Sequence, residues 1–200
     1  MEIYLVRHTA PAVASGVCYG QSDIGVIDTF LQEAQLISQQ LPLKVAAVYS
    51  SPLQRCTLLA NHLFPQQAVI TEPDLMEINC GHWELQRWDD IPKAQLDPWM
   101  NDFVHVRIPG GESYTDLFER CTRRFDECCK HPYPAVLVAH GGVIRSILSY
   151  ITGTALIDSF NQFSLYYGCV IKIFNQQGKL HYEVLSNIPH PKETHKPSGY

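Results

Sequence analysis

Three apolar runs of this 200-residue chain stop at residues that can bind or move charge. Ile3-Tyr4-Leu5-Val6 ends in Arg7-His8. Val45-Ala46-Ala47-Val48-Tyr49 leads through Ser51-Pro52-Leu53-Gln54 to Arg55, and Ala135-Val136-Leu137-Val138-Ala139 ends in His140-Gly141-Gly142. Open α/β sheets bind ligands beyond the carboxyl ends of their strands, so parallel pairing of these runs would bring two arginines and two histidines together. Helices opening after Ser51 and Gly141 would add backbone N–H donors and the positive ends of their dipoles. Arginine forks match phosphate oxygens in pairs. The combined set suits a dianion, above all a phosphoryl group. Singly, each residue has an ordinary reading. A His after a strand is often a loop or core residue, an Arg in a first helical turn often a surface ion-pair partner, and two glycines need only a tight turn. The coincidence at three strand ends is what points to chemistry.

The elements that must position these residues are legible in outline. The three runs read as buried strands, and Val69 to Thr71 as a further short one. Residues 9–28, with Pro11, Gly16, Gly20 and Gly25, read as a long loop. Phe30, Leu31, Ala34, Ile37 and Leu41 fit an amphipathic helix stopped by Pro42. Ser51 suits an N-cap, with Pro52 at the first helical position and Gln54 as capping-box partner, for a helix reaching about Phe64. Ser113-Tyr114-Thr115-Asp116 is a capping box opening a helix to about Lys130. A further helix runs from Val143 to about Ile151. Cys169 to Phe174 and Leu180 to Leu185 read as two late strands joined through Gln176-Gln177-Gly178. Residues 73–112, rich in Trp, Pro and Asp, read as a lid-like insertion with short helical pieces at best. Their Trp83, Trp88 and Trp99 suit either a wall over a ligand or plain core packing. Strands alternating with helices imply an α/β fold, a three-layer sandwich with a mainly parallel central sheet, over residues 1–187. Residues 188–200, with Pro189, Pro191 and Pro197 around them, read as a flexible tail.

Composition sets outer bounds. Apolar residues make up 46% and charged residues 18%, ordinary for a globular chain. A formal net charge of −5 argues against nucleic acid and anionic membrane as partners. No apolar run approaches the ~20 residues that span a bilayer, and the first residues lack the basic start of a secretion signal. Seven cysteines, an odd number without a CxxC pair, read as reduced thiols in a cytoplasmic protein. The remaining histidines show no metal-ligand spacing, so no metal or cofactor is expected.

Five segments in order carry a resemblance. Leu5-Val6-Arg7-His8-Thr9 resembles the RHG signature of the histidine phosphatase (phosphoglycerate-mutase-like) superfamily. Ser50 to Cys56 is similar to its SSPLxRA segment, and Glu77-Ile78-Asn79-Cys80-Gly81-His82-Trp83-Glu84 to its ExxxGxWEG segment. Pro109-Gly110-Gly111-Glu112-Ser113 resembles its PGGES, and Val138-Ala139-His140-Gly141-Gly142 its VsHGG. The resemblance implies a phosphoglycerate-mutase-like fold and catalysis by His8, Glu77 and His140. His8 would be the nucleophile that becomes phosphohistidine, and Glu77 the proton donor to the leaving group. Arg7, Arg55, His140 and the Gly141 amide would complete the phosphate pocket with His8. Apolar neighbours such as Ile78 and Trp83 would favour a protonated Glu77.

Three departures stand out. Thr9 follows the catalytic-type His where the family has Gly. Leu85 replaces the Gly after Trp-Glu. Ala14 stands where an Asn is usual, so one phosphate donor is either missing or supplied by Tyr19, Gln21 or Ser22. The early loop Gly16-Val17-Cys18-Tyr19-Gly20-Gln21-Ser22-Asp23 resembles the GxCYGxxD loop of the α-ribazole-5′-phosphate phosphatases of cobalamin biosynthesis. That branch also includes Arg-His-Thr members. The resemblance therefore implies hydrolysis of α-ribazole 5′-phosphate, with Tyr19, Gln21 and Trp83 as leaving-group contacts. A broad-specificity small-molecule phosphatase is the alternative, ahead of a phosphoprotein phosphatase or a phosphoglycerate mutase. A non-catalytic phosphoprotein binder would be expected to lack His8, Glu77 or Arg55, and all three are present. The partner implied is a small phosphomonoester; a homodimer is left open.

Overall fold

The computed structural model describes residues 1–130 and 133–189. A six-stranded sheet has the order β3-β2-β4-β1-β5-β6, built from β1 (Glu2–Arg7), β2 (Ala47–Ser50), β3 (Val69–Thr71), β4 (Ala135–Ala139), β5 (Val170–Gln176) and β6 (Lys179–Ser186). β1, β2, β3 and β4 pair in parallel. Only β5 runs against its neighbours on both sides. The helices are α1 (Phe30–Ser38), α2 (Gln54–Leu63), α3 (Lys93–Asn101), α4 (Tyr114–Cys128), α5 (Gly141–Thr152) and the single turn α6 (Ser159–Gln162).

The layers follow from strand alternation. Ile3 and Leu5 of β1, with Ala135, Leu137 and Ala139 of β4, pack against α4 and α5. Tyr4 and Val6, with Val136 and Val138, face the opposite layer of α1 and α2. β4 is buried on both faces, which is why its sequence is continuously apolar rather than alternating. A third apolar cluster gathers Cys80, Trp83, Trp88, Ile91, Leu96 and Ile108 around Cys18 of the early loop. Among the described residues no helix is long and apolar enough to cross a membrane, and all seven cysteines are free thiols.

The structure departs from the sequence expectations at several places. α2 begins at Gln54, not Pro52, and Ser51 does not cap it. Asp23, from the early loop, accepts the Gln54 amide at 2.7 Å instead. A carboxylate brought in by tertiary folding has displaced the local hydroxyl, which is engaged elsewhere. The insertion holds a nine-residue helix, α3, despite an internal Pro98. Its Leu96 is buried with the tryptophans, so packing outweighs the helix-breaking residue. The capping box at Ser113 and Asp116 is present in full. The tail expected over 188–200 falls, from residue 190 onward, outside the described residues.

Leu85, the residue in place of a family glycine, takes φ 64°. Its Cβ crowds the following carbonyl there, a conformation costing about 1–2 kcal/mol for a non-glycine residue. Its side chain is 60% exposed, so little packing compensates. Leu85→Gly should therefore stabilise the protein by about 0.5–1 kcal/mol after the entropy of a freer unfolded chain is subtracted. The check is thermal unfolding, with a rise of about 1–4 °C in Tm; an unchanged or lower Tm would show that Leu85 is not strained.

Candidate active site

The strand order settles which chain segments meet. β4 lies between β1 and β2, with Arg7 paired to Ala139 and Ser50 to Val138. The ladder continues past the strand ends: the His8 amide donates to Ala139 O at 3.1 Å and the Ser51 amide to Val138 O at 2.9 Å. His8, Ser51 and His140 are thereby side by side, and the two imidazole centroids lie 5.1 Å apart.

A cavity of about 660 Å³ opens beyond these ends. Arg7, His8, Gly141 and Glu77 line it, together with Tyr19. His8 Nδ1 is 2.7 Å from Thr9 O. A carbonyl only accepts, so Nδ1 carries a proton, and in the neutral ring that leaves the lone pair on Nε2, the form a nucleophile needs. The Arg7 guanidinium lies 4.3 Å from the centre of the Tyr167 ring and donates to Leu165 O. The N-cap residue of α5, His140, makes no side-chain cap hydrogen bond to it. The first two residues of the helix line the cavity, so its amide end faces an incoming anion.

Glu77 sits on the same helix end. Its Oε2 accepts the Gly142 amide at 3.0 Å and its Oε1 the Ile78 amide at 3.0 Å. A Cβ on Gly142 would lie 2.2 Å from Glu77 Oε1, so the approach requires glycine. Arg120 holds the segment from behind. It donates to Asp74 O, Met76 O and Glu77 O at 2.7–2.9 Å and pairs with Glu112 at 2.8 Å. Glu112 also accepts the Asn79 amide at 2.9 Å. That explains the glutamate of the Pro-Gly-Gly-Glu-Ser segment: it anchors the loop that carries Glu77.

The remaining expected residues lie behind this first wall. Arg55 is fully buried and donates to Gly20 O at 2.7 Å and Ser22 O at 2.8 Å, with its guanidinium 5.5 Å from the Tyr19 ring centre. His140 is fully buried too, its Nε2 2.8 Å from Ser51 Oγ and 3.5 Å from Cys56 Sγ. Burial first, then the guanidinium of Arg55, the neighbouring His8 and the guanidinium of Arg7, hold His140 well below the usual imidazole range. Burial also pushes the Cys56 thiol up to about 12, so it stays protonated.

Two leaving-group contacts expected from sequence are placed elsewhere. Trp83 is 1% exposed and does not line the cavity. It packs edge-on against Trp88 and Trp99, with its indole N–H 3.2 Å from Gln95 Oε1. It is the inner residue of the aromatic cluster. Gln21 donates its side-chain amide to Glu77 O at 3.1 Å and holds that backbone rather than facing the cavity. Ser22 is bound to Glu84. Glu84 gathers the Ser22 hydroxyl and the amides of Gly20, Gln21, Ser22 and Cys80. Burial raises the proton affinity of Glu84, but those donors hold its carboxyl below the usual range. Its role is to tie the early loop to the insertion, which sequence reading did not see. Of the three candidate donors, only Tyr19 lines the cavity, its hydroxyl 2.8 Å from that of Tyr167.

A family model described as histidine phosphatase superfamily (branch 1) matches residues 3–188. The chain belongs to this superfamily. A Hydrogenobacter thermophilus protein provisionally named phosphoserine phosphatase 2 is 30% identical over 80% of this chain and 83% of its own. One from Yersinia pestis provisionally named phosphoglycerate mutase GpmB is 29% identical over 76% of this chain and 75% of its own. Among solved structures, the α-ribazole phosphatase of Shigella flexneri superposes with a TM-score of 0.83 at 22% identity, over 92% of this chain and 95% of that one. At that identity the likeness concerns the fold, a phosphoglycerate-mutase-like α/β sandwich.

Several cavity residues were absent from the sequence reading: Tyr114, Arg145, Phe160, Leu165 and Tyr166 line it, and Phe103 joins them from the insertion. Three of them, Phe160, Leu165 and Tyr166, lie in the aperiodic stretch after α5. The one available signal was its aromatic density, with Phe160, Phe163, Tyr166 and Tyr167 within eight residues.

Gly142→Ala should displace the Glu77 carboxylate while Glu77 itself remains. kcat on alkyl phosphates is expected to fall by about 10²-fold or more, the usual scale for a mispositioned acid–base group; steady-state kinetics beside circular dichroism of the folded variant tests it. The neutral state of His140 makes a pH prediction. Its proton affinity is lower folded than unfolded, so the stability it carries is present above its ordinary value of 6.5 and is lost as pH falls below it. In the folded protein the His140 ring signals should remain those of a neutral imidazole down through pH 6.5 and below. Wild-type stability should also drop faster than that of His140→Gln in the same window, by up to about 1.4 kcal/mol per pH unit.

Proposed function

We propose that this histidine phosphatase is a metal-independent phosphomonoesterase of the cytoplasm that works through phosphohistidine at His8 and hydrolyses α-ribazole 5′-phosphate to α-ribazole and phosphate. In the first displacement His8 Nε2 attacks phosphorus and the bond to the ester oxygen breaks, while Glu77, protonated for this step, delivers its proton to the departing alkoxide. In the second, water attacks the phosphorus of phosphohistidine as Glu77 takes its proton, and His8 leaves as the neutral ring. Arg7 and the amide end of α5 hold the equatorial oxygens and neutralise their charge, which is most of what phosphoryl transfer asks of a protein. Arg55 and neutral His140 back this wall, Arg55 through the early loop and His140 beside the His8 ring.

The observation that carries the substrate reading is the shape of the cavity. Its phosphate end is polar, and the rest is walled by Trp88, Trp99, Phe103, Tyr114 and Phe160. About 660 Å³ is far more than a phosphate on a three-carbon chain fills, and lies in the range of pockets for larger organic ligands. A flat dimethylbenzimidazole on a ribose suits such walls, where stacking adds roughly 0.5–1.5 kcal/mol beyond burial. Two solved neighbours carry α-ribazole phosphatase names, and the early loop resembles that of the same branch. A broad-specificity small-molecule phosphatase is the second reading, favoured by the phosphoserine phosphatase name of the Hydrogenobacter relative. A mutase is disfavoured because holding phosphohistidine away from water takes additional loops.

The test is a panel of α-ribazole 5′-phosphate, O-phospho-L-serine, 3-phosphoglycerate and p-nitrophenyl phosphate, assayed with chelator present. kcat/KM should be highest for α-ribazole 5′-phosphate and unaffected by chelation. A preference for phosphoserine or 3-phosphoglycerate would overturn the substrate, and a strict need for a divalent ion would overturn the metal-independent step. His8→Ala should lose at least ~10³-fold, with the wild-type enzyme yielding acid-labile phosphate on His8. Glu77→Gln should slow alkyl phosphates far more than p-nitrophenyl phosphate, whose leaving group needs no proton; equal losses would remove Glu77 from the acid role.

A further inference from the structure

Arg145 has no place in the phosphoryl-transfer scheme, yet it lines the same cavity. It stands on α5 one turn after Gly141, and helical side chains lean back toward the N-terminus. Its Nη1 accordingly lies 3.5 Å from Gly141 O, over the first turn of the helix and beside the phosphate end. The guanidinium is stacked on Phe160, with Cζ 4.0 Å from the ring centre. Its Nε reaches Phe163 O at 3.4 Å. Both hydrogen bonds are at the long limit of the range, and a guanidinium has five N–H donors.

Two other arginines near the site are used differently. Arg55 is bound to two loop carbonyls. Arg120 is bound to Glu112 and three carbonyls. Arg145 has no carboxylate within ion-pair distance among the described residues. Phe160 holds its plane on one side, and the cavity takes up another. The wall is continuous from there: Phe160 contacts Phe103, which contacts Trp99, which stacks on Trp88. A planar cation with unused donors is thus set where an aromatic wall meets the phosphate site.

We infer that Arg145 is a specificity-determining residue that donates hydrogen bonds to an oxygen acceptor on the leaving group, within a few bonds of the ester oxygen. The inference rests on the proposed phosphomonoesterase reading and narrows its substrate class. Leaving groups with such an oxygen, a ribose hydroxyl or a carboxylate, satisfy the fork. A plain aryl leaving group fills the aromatic wall and leaves the guanidinium without its acceptor. A site built to hydrogen-bond its substrate discriminates against analogues that lack the partner.

The test compares wild type with Arg145→Met, which keeps the apolar stem on Phe160, using α-ribazole 5′-phosphate, O-phospho-L-serine and phenyl phosphate. kcat/KM on an oxygen-bearing substrate should fall at least about tenfold, mainly through KM, while phenyl phosphate loses less than about threefold. Selective loss on α-ribazole 5′-phosphate assigns the acceptor to the ribose, and selective loss on phosphoserine assigns it to a carboxylate. Equal losses on all three substrates, or no loss on any, overturn the inference, as does a wild-type preference for phenyl phosphate over both others. If α-ribazole 5′-phosphate alone is not hydrolysed, the proposed substrate fails and the phosphoserine arm still decides the role of Arg145. Phe160→Leu, at a half-exposed position, removes the stacked ring without touching the guanidinium. It should show the same selectivity with a smaller loss, and it carries the test if Arg145→Met does not fold.

Discussion

β4 runs between β1 and β2, and each neighbour takes one more backbone hydrogen bond from it after its own strand has ended. The His8 amide donates to Ala139 O and the Ser51 amide to Val138 O. Those two bonds set the heights of His8 and Ser51 relative to His140, and so the placing of two imidazoles 5.1 Å apart. A slip of one residue in either pairing would turn His8 or Ser51 to the other face of the sheet. The continuous burial of β4 holds that register, because its apolar residues fill both layers at once.

The charge arrangement follows from the same placing. Arg7, Arg55 and His8 converge with the amide end of α5 on a small volume, and His140 stays neutral among them. A protonated His140 there would add repulsion to two guanidinium groups. The tyrosines offset part of this. Tyr167 lies under Arg7 and Tyr19 beside Arg55, and their hydroxyls join at 2.8 Å. The Glu77 carboxylate enters this positive region on Gly142, held from behind by Arg120 and Glu112. Glu77 and the cavity-lining glycines therefore meet at one helix terminus, and their spacing is that of a single rigid element.

The legible part of the chain was the part whose pattern is local. The apolar runs at 3–6 and 135–139, and the Ser113–Asp116 capping box, announce themselves within a few residues because burial on both faces and cap hydrogen bonds act at short range. Ser51 shows where local reading fails. As a type it is a good helix cap, but a distant Asp23 serves α2 and Ser51 turns to His140. Trp83 and Gln21 fail for a related reason. A large aromatic or an amide near a site can line it or support it, and only the packing of Trp83 behind Trp88 and Trp99 and the bond of Gln21 to Glu77 O tell which.

By itself the sequence determined the α/β class, the three strand ends that carry charge and, through five ordered segments, the superfamily, because each depends on residue type and short spacing. The tertiary structure decided which of those residues face the cavity and which stand behind it. It also decided what walls the leaving-group end: Phe103, Tyr114, Arg145 and Phe160 come from separate segments with no common period. Contacts between residues distant in the chain are fixed by how whole layers pack, and that is set by the joint burial of many side chains rather than by any one stretch.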